Sequence, residues 1–205
     1  ERLRKSAQFA LESMGEKVAG DVMRAMKKND NDYVTACGCS ILGNLNMIES
    51  TSFLSDFILH ASKEVRSSAL YALGKLDPLK YASLFVRALS DPADCVKTAG
   101  AQILATFEKK VEEAVAPLLE ILRSPDKVLH TDAIKALSRV GQGTSVEIEA
   151  FLYGLDEEDT SIKTASIEAL ARMGEKGKEA VGSLVKIIRE NPESQIGRAS
   201  CRERV

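Results

Sequence analysis

The stretch Val65-Arg66-Ser67-Ser68-Ala69-Leu70-Tyr71-Ala72-Leu73-Gly74-Lys75-Leu76 decides the fold. Offsets of 4, 8 and 11 from Val65 fall on one side of a helix with 3.6 residues per turn, and small or aliphatic residues fill them. The same shape returns as Leu129-His130-Thr131-Asp132-Ala133-Ile134-Lys135-Ala136-Leu137, and again as Ile162-Lys163-Thr164-Ala165-Ser166-Ile167-Glu168-Ala169-Leu170. With the first aliphatic residue as anchor, the series is Leu3, Val34, Val65, Val96, Leu129 and Ile162, at spacings of 31, 31, 31, 33 and 33. The leucine eight positions on keeps phase throughout (Leu11, Leu42, Leu73, Leu104, Leu137, Leu170), and offset 11 is apolar in every copy (Met14, Leu45, Leu76, Phe107, Val140, Met173). Six coincident triples define an internal repeat.

Each repeat carries a second helix, ending on Met26, Leu59, Leu89, Leu122, Leu155 and Ile188. Asp91-Pro92, Ser124-Pro125 and Asn191-Pro192 close three of the units, while Asp30 and the run Asp159-Thr160-Ser161 supply caps for the helix that follows. Gly15, Gly74, Gly141 and Gly174 stand near the ends of first helices, where a left-handed residue is expected. Pro117 lies early in its helix, where a missing N–H matters least.

Two helices per repeat, about 33 residues each, with an aliphatic–Arg/Lys pair and a following Ala-Leu-Gly, resemble the HEAT repeat family, most closely the HEAT-like repeats of the phycobilisome-lyase type. Tetratricopeptide repeats share the length, but their Trp and Tyr signature is missing. The resemblance implies an all-α fold, an α-solenoid of about six stacked two-helix repeats wound into a right-handed superhelix, with the second helices lining its concave surface. The expected repeats are 1–29, 30–61, 62–92, 93–125, 126–158 and 159–194, in one solenoid domain. No single hairpin buries both of its apolar faces, so neighbours must stack.

Residues Ile196-Gly197-Arg198-Ala199-Ser200-Cys201-Arg202-Glu203-Arg204-Val205 break the period and resemble the in-frame translation of a sequencing adapter, as found at the ends of metagenomic gene models. Residues 195–205 are therefore expected to be a non-native, disordered tail, and the chain an internal fragment whose flanking segments are absent. The first repeat and the apolar last one (Val181, Leu184, Val185, Ile187, Ile188) both lack a polar outer face, which agrees with that expectation.

With 44% hydrophobic and 28% charged residues, the chain is neither disordered nor membrane-spanning in composition. A formal net charge of −2 gives no overall basic field to recruit nucleic acid. No run approaches about 18 apolar residues, so no bilayer span is expected. Cys37, Cys39, Cys95 and Cys201 match no zinc spacing, and a reduced, cytoplasmic setting is the expectation.

No catalytic constellation emerges. His130 takes the place held by Arg4, Arg66, Lys97 and Lys163 in sister repeats, and reads as a lattice residue bonding a neighbouring turn. His60 lies on an exposed second-helix position without a Ser or Cys partner. The acidic run Asp156-Glu157-Glu158-Asp159 reads as a solvated inter-repeat turn, and Cys37-Gly38-Cys39 as close helix packing. We therefore expect no enzyme activity, no cofactor and no metal.

One surface bears on function. Two positions of each second helix, three residues apart, are mostly polar between apolar neighbours: Arg24/Lys27, Phe57/His60, Arg87/Ser90, Glu120/Arg123, Tyr153/Asp156 and Lys186/Arg189. The resemblance places this net-positive ridge along the concave groove. Phe57 and Tyr153 are aromatic where water is expected, and aromatic residues beside arginine are interface anchors. The expected role is a non-enzymatic, monomeric protein–protein interaction scaffold that binds a partly acidic segment of a partner protein through Arg24, Lys27, Phe57, His60, Arg87, Glu120, Arg123, Tyr153, Asp156, Lys186 and Arg189. One alternative is a bilin lyase or isomerase of the HEAT type, with Arg87 and Arg123 for propionates and Phe57 as apolar wall. The other is a nucleic-acid backbone binder, although the aromatic site of HEAT-like DNA glycosylases includes Trp, which this sequence lacks.

Overall fold

The computed structural model describes residues 2–28 and 31–190. The tail from residue 195, Asp30 and the pair Asn191-Pro192 lie outside the described residues. Among the described residues twelve α-helices are joined by turns and short 3-10 segments, and there is no strand. They are α1 (Arg2–Ser13), α2 (Ala19–Lys28), α3 (Asp32–Asn44), α4 (Thr51–Ser55), α5 (Lys63–Leu76), α6 (Ala82–Ala88), α7 (Asp94–Leu104), α8 (Val115–Arg123), α9 (His130–Val140), α10 (Ser145–Leu155), α11 (Thr160–Met173) and α12 (Val181–Glu190).

The chain forms two compact units divided between Gln142 and Gly143, inside the fifth repeat. In the first unit the first helices α1, α3, α5, α7 and α9 pack side by side in chain order. The second helices α2, α4, α6 and α8 pack on the first helix that follows each of them. In the second unit α10 packs on α11, and the 3-10 segment Gly174–Ala180 touches both α11 and α12.

The repeat phase builds the core. Leu42, Leu73, Leu104 and Leu137 of the first unit are fully buried, and Leu170 of the second is nearly so. Burying a leucine side chain contributes about 1.5–3 kcal/mol relative to leaving it exposed, so this one column is a large share of the driving force. Val65, Val96, Leu129 and Ile162 are buried with the same phase. The outermost helices differ: Leu3, Phe9 and Met14 of the first repeat are exposed, as are Val181, Val185 and Ile188 of α12.

Two glycines set how closely neighbouring helices approach. A Cβ on Gly43 of α3 would stand 2.8 Å from the Cα of Ala72 in α5, and one on Gly100 of α7 would stand 2.8 Å from the carbonyl oxygen of Phe85 in α6. Backbone cannot yield cheaply at that distance. Gly100→Ala is therefore expected to destabilise by about 1–3 kcal/mol, despite the better helix propensity of alanine. Gly20 of α2 has no atom within 4 Å of such a Cβ, and there Gly20→Ala gains up to about 1 kcal/mol. Urea unfolding of the two variants gives shifts of opposite sign if helix approach is what these glycines control.

Several sequence expectations are corrected. Only Gly15 and Gly174 of the four helix-end glycines have positive φ, at 75° and 55°. Gly74 sits inside α5 against Ile103, and Gly141 is extended (φ −70°, ψ 165°); the left-handed residue after α3 is Asn46, at φ 55°. The cap of α3 is Asn31, whose side chain accepts from the Tyr33 N–H at 2.9 Å, whereas Asp159 caps α11 as expected. The turn at 156–159 is not wholly solvated, because Glu157 is buried. The second helix of repeat two is broken, with 3-10 turns at Ile48–Ser50 and Asp56–Leu59 flanking the five-residue α4. The tighter winding rotates Ile58 inward and leaves Leu59 exposed.

Candidate binding groove

Two clefts lie side by side where second helices end and the next first helices begin. The first, of about 510 Å³, is walled by the end of the Asp56–Leu59 turn, by Arg66 of α5, by Arg87 near the end of α6 and by Ser90 in the turn after it. The second, of about 420 Å³, lies between Asp94 and Lys97 of α7, Glu120 and Ile121 of α8, and the turn carrying Asp126. Ser90, Asp91 and Pro92 border both, so the α6–α7 turn is the saddle between them.

An ion pair fixes that saddle. Arg66 donates from Nε to one carboxylate oxygen of Asp91 and from Nη2 to the other, each at 2.8 Å, and its Nη1 donates to the carbonyls of His60 and Ala61 at 2.9 Å. Both side chains are mostly buried. Burial pushes the Asp91 carboxyl up, but the bonds from Arg66 and the Ala93 N–H, with the Arg66 and Lys97 charges, outweigh it and hold the group below its ordinary value. One guanidinium thus ties the turn after residue 59 to the turn after residue 90, and the walls of the first cleft are preorganised.

His130 makes a related contact two repeats further on, its Nε2 lying 3.1 Å from the Ser124 carbonyl. This is the neighbouring-turn bond expected of it, and the ring is buried.

The ridge residues fall into separate sets. His60, Arg87 and Ser90 line the first cleft, and Ser90 and Glu120 the second. Arg123 is exposed on α8 but lines neither cleft. Arg24 is exposed and pairs with Asp21 of its own helix. Lys27 stands over the Phe53 ring at 5.3 Å, Phe53 meets Phe57 edge-on at 5.0 Å, and Phe57 lies 6.3 Å from His60. Phe57 is half-buried in this stack, not the wet aromatic that helical spacing suggests, because its turn is 3-10 wound. His60 is also half-buried, in extended backbone just past that turn. Its Nδ1 accepts from the Ser62 N–H at 3.1 Å, and its Nε2 faces Asp32 at 3.9 Å. In the second unit Tyr153, Asp156, Lys186 and Arg189 are all exposed, Tyr153 at 64%. Arg87, Arg123 and Phe57, the residues offered for a bilin's propionates and apolar wall, do not share either cleft.

A third cavity, apolar and about 240 Å³, lies among α1, α2 and α3, with Cys37 in its wall and Arg4 stacked on Tyr33 at 4.3 Å. Burial pushes the Cys37 thiol up, the Arg4 charge opposing, and pushes fully buried Cys39 up to about 12. Neither thiol is an activated nucleophile. No group of His, Cys, Asp and Glu side chains among the described residues is placed to hold a metal ion.

No protein-family model matches the chain, and no curated protein does. Solved structures do. A designed armadillo repeat protein in complex with the peptide (KR)4 is 15% identical, with a TM-score of 0.61 over 83% of this chain and 92% of its own. Two engineered proteins from a structural genomics consortium are 17% and 16% identical, with TM-scores of 0.60 and 0.62 over 85% of this chain and 90% and 93% of theirs. Likeness at this identity shows the fold, an all-α helical repeat of the α-solenoid class. No helix among the described residues is long and apolar enough to cross a membrane.

Proposed function

We propose that this chain is a non-enzymatic scaffold of HEAT-like repeats that holds a segment of a partner protein along the ends of its second helices. The observation that carries the reading is the pair of adjoining clefts, with His60, Arg87, Ser90 and Glu120 in their walls and the Arg66–Asp91 pair fixing the saddle between them. The designed armadillo neighbour, solved with a peptide, supports a peptide-like occupant. Arg24, Lys27, Phe57 and Arg123 extend the surface in the first unit, and Tyr153, Asp156, Lys186 and Arg189 form its counterpart in the second. The proposed setting is cytoplasmic and the proposed state monomeric.

The test is affinity capture from lysate, washed at low and then moderate salt, with wild type and Arg87→Glu in parallel. Arg87 is exposed, so the variant is expected to keep its helicity. A protein retained by wild type at moderate salt and lost with Arg87→Glu is the expected result. Nucleic acid eluting with salt, or a coloured eluate, would replace the scaffold reading with one of the two alternatives.

A further inference from the structure

The two clefts carry opposite charge. Within the first, Arg66 is neutralised by Asp91, which leaves the exposed Arg87 as a cation with no ion-pair partner among the described residues. Within the second, Lys97 pairs with Asp94 at 3.1 Å and Asp91 is held by Arg66, which leaves the carboxylates of Glu120 and Asp126. Asp126 accepts from the Val128 N–H at 3.1 Å; Glu120 is exposed with no hydrogen bond or ion pair among the described residues. Arg123, three residues beyond Glu120, is exposed on α8 and does not line the cleft. Apolar groups sit beside both charges, Ile58, Leu59 and Val96 in the first cleft and Ile121 and Leu129 in the second.

We infer that the groove is polar along its length and selects an extended peptide segment of mixed charge, with an acidic side chain beside Arg87 and a basic one beside Glu120 and Asp126. Neighbouring helix layers are about 8–10 Å apart, which an extended chain spans in about three residues. The two charges of the ligand therefore stand about three positions apart, with aliphatic side chains between them to meet the apolar walls. A segment of one sign gains in one cleft and is repelled in the other, so charge order is the source of selectivity. This inference rests on the groove reading above and adds to it the chemistry of the occupant.

Fluorescence anisotropy with four labelled peptides tests it: a block peptide with two Glu, then Leu-Ala-Leu, then two Lys; the same blocks in reverse order; and all-Glu and all-Lys controls of equal length. One block order is expected to bind the wild-type chain at least about tenfold more tightly than either control, and less tightly as salt rises. Glu120→Lys is expected to weaken that block peptide about tenfold while strengthening the all-Glu control. A control that binds as well as the better block peptide would overturn the inference, as would an unchanged ranking in Glu120→Lys or no binding of any peptide at about 1 mM. Arg87→Glu separates the two levels of failure. If it weakens the block and all-Glu peptides while Glu120→Lys changes nothing, the charge order is wrong and the groove stands. If neither variant alters any peptide or the captured partner, the groove reading itself falls.

Discussion

Phe85→Ala is expected to lower the unfolding free energy by about 3–5 kcal/mol, measured by urea denaturation with the slope unchanged. The ring is fully buried on α6 and packs edge-on against Phe107, 6.2 Å between centroids at 90°. Its backbone carbonyl is the group that Gly100 approaches, so the surroundings are pinned from the other side and collapse poorly around a deletion. A cavity that cannot collapse costs both the lost transfer energy and the void. Because α6 also carries Arg87 and leads into the turn with Ser90, the variant should lose groove binding with its stability. A cost below about 1 kcal/mol would mean that α6 is not anchored by this ring.

Removing the guanidinium of Arg66 strands a mostly buried carboxylate. Arg66→Ala is expected to cost about 2–4 kcal/mol, below the full range for a buried pair because some solvent reaches it. Replacing both partners by apolar residues of similar size (Arg66→Met with Asp91→Leu) should recover most of that loss, since the penalty comes from the unpaired charge and not from the missing attraction. The pH dependence follows from the lowered Asp91 value. A carboxyl depressed in the folded state contributes stability that is fully present above its unfolded value and is lost as pH falls through the folded one. Stability differences between wild type and Asp91→Asn should therefore be constant from neutral pH to about 5 and close below 3.8, the ordinary value. A difference that does not change down to pH 2 would show that the pair contributes no net charge stabilisation.

The helical repeat was legible because one column of residues does one job in every copy. Leu42, Leu73, Leu104, Leu137 and Leu170 share phase in the sequence and burial in the structure, whereas Leu3 and Met14 keep the phase but lie exposed. Period reports which face a helix reserves for packing, not whether a neighbour covers it. The same limit explains Phe57 and His60. Their three-residue spacing assumes α-helical winding, whereas Phe57 stands in a 3-10 turn, half-buried, and His60 follows it in extended backbone, where it lines the first cleft. The Arg66–Asp91 pair is not legible in the sequence, where Arg66 stands out only beside its anchor and Asp91 only as a turn residue. The two are 25 positions apart, and their meeting depends on the second helices packing on the first helices that follow, a registration that hydrophobic period does not encode.

Photo-crosslinking from the saddle between the clefts tests the groove most directly. A photoreactive amino acid in place of Ser90, which borders both clefts, should crosslink to the captured partner protein. The same group in place of Ser83, exposed on α6 and outside both clefts, should give little or none. Equal crosslinking from the two positions, or crosslinking from Ser83 alone, would contradict the groove assignment.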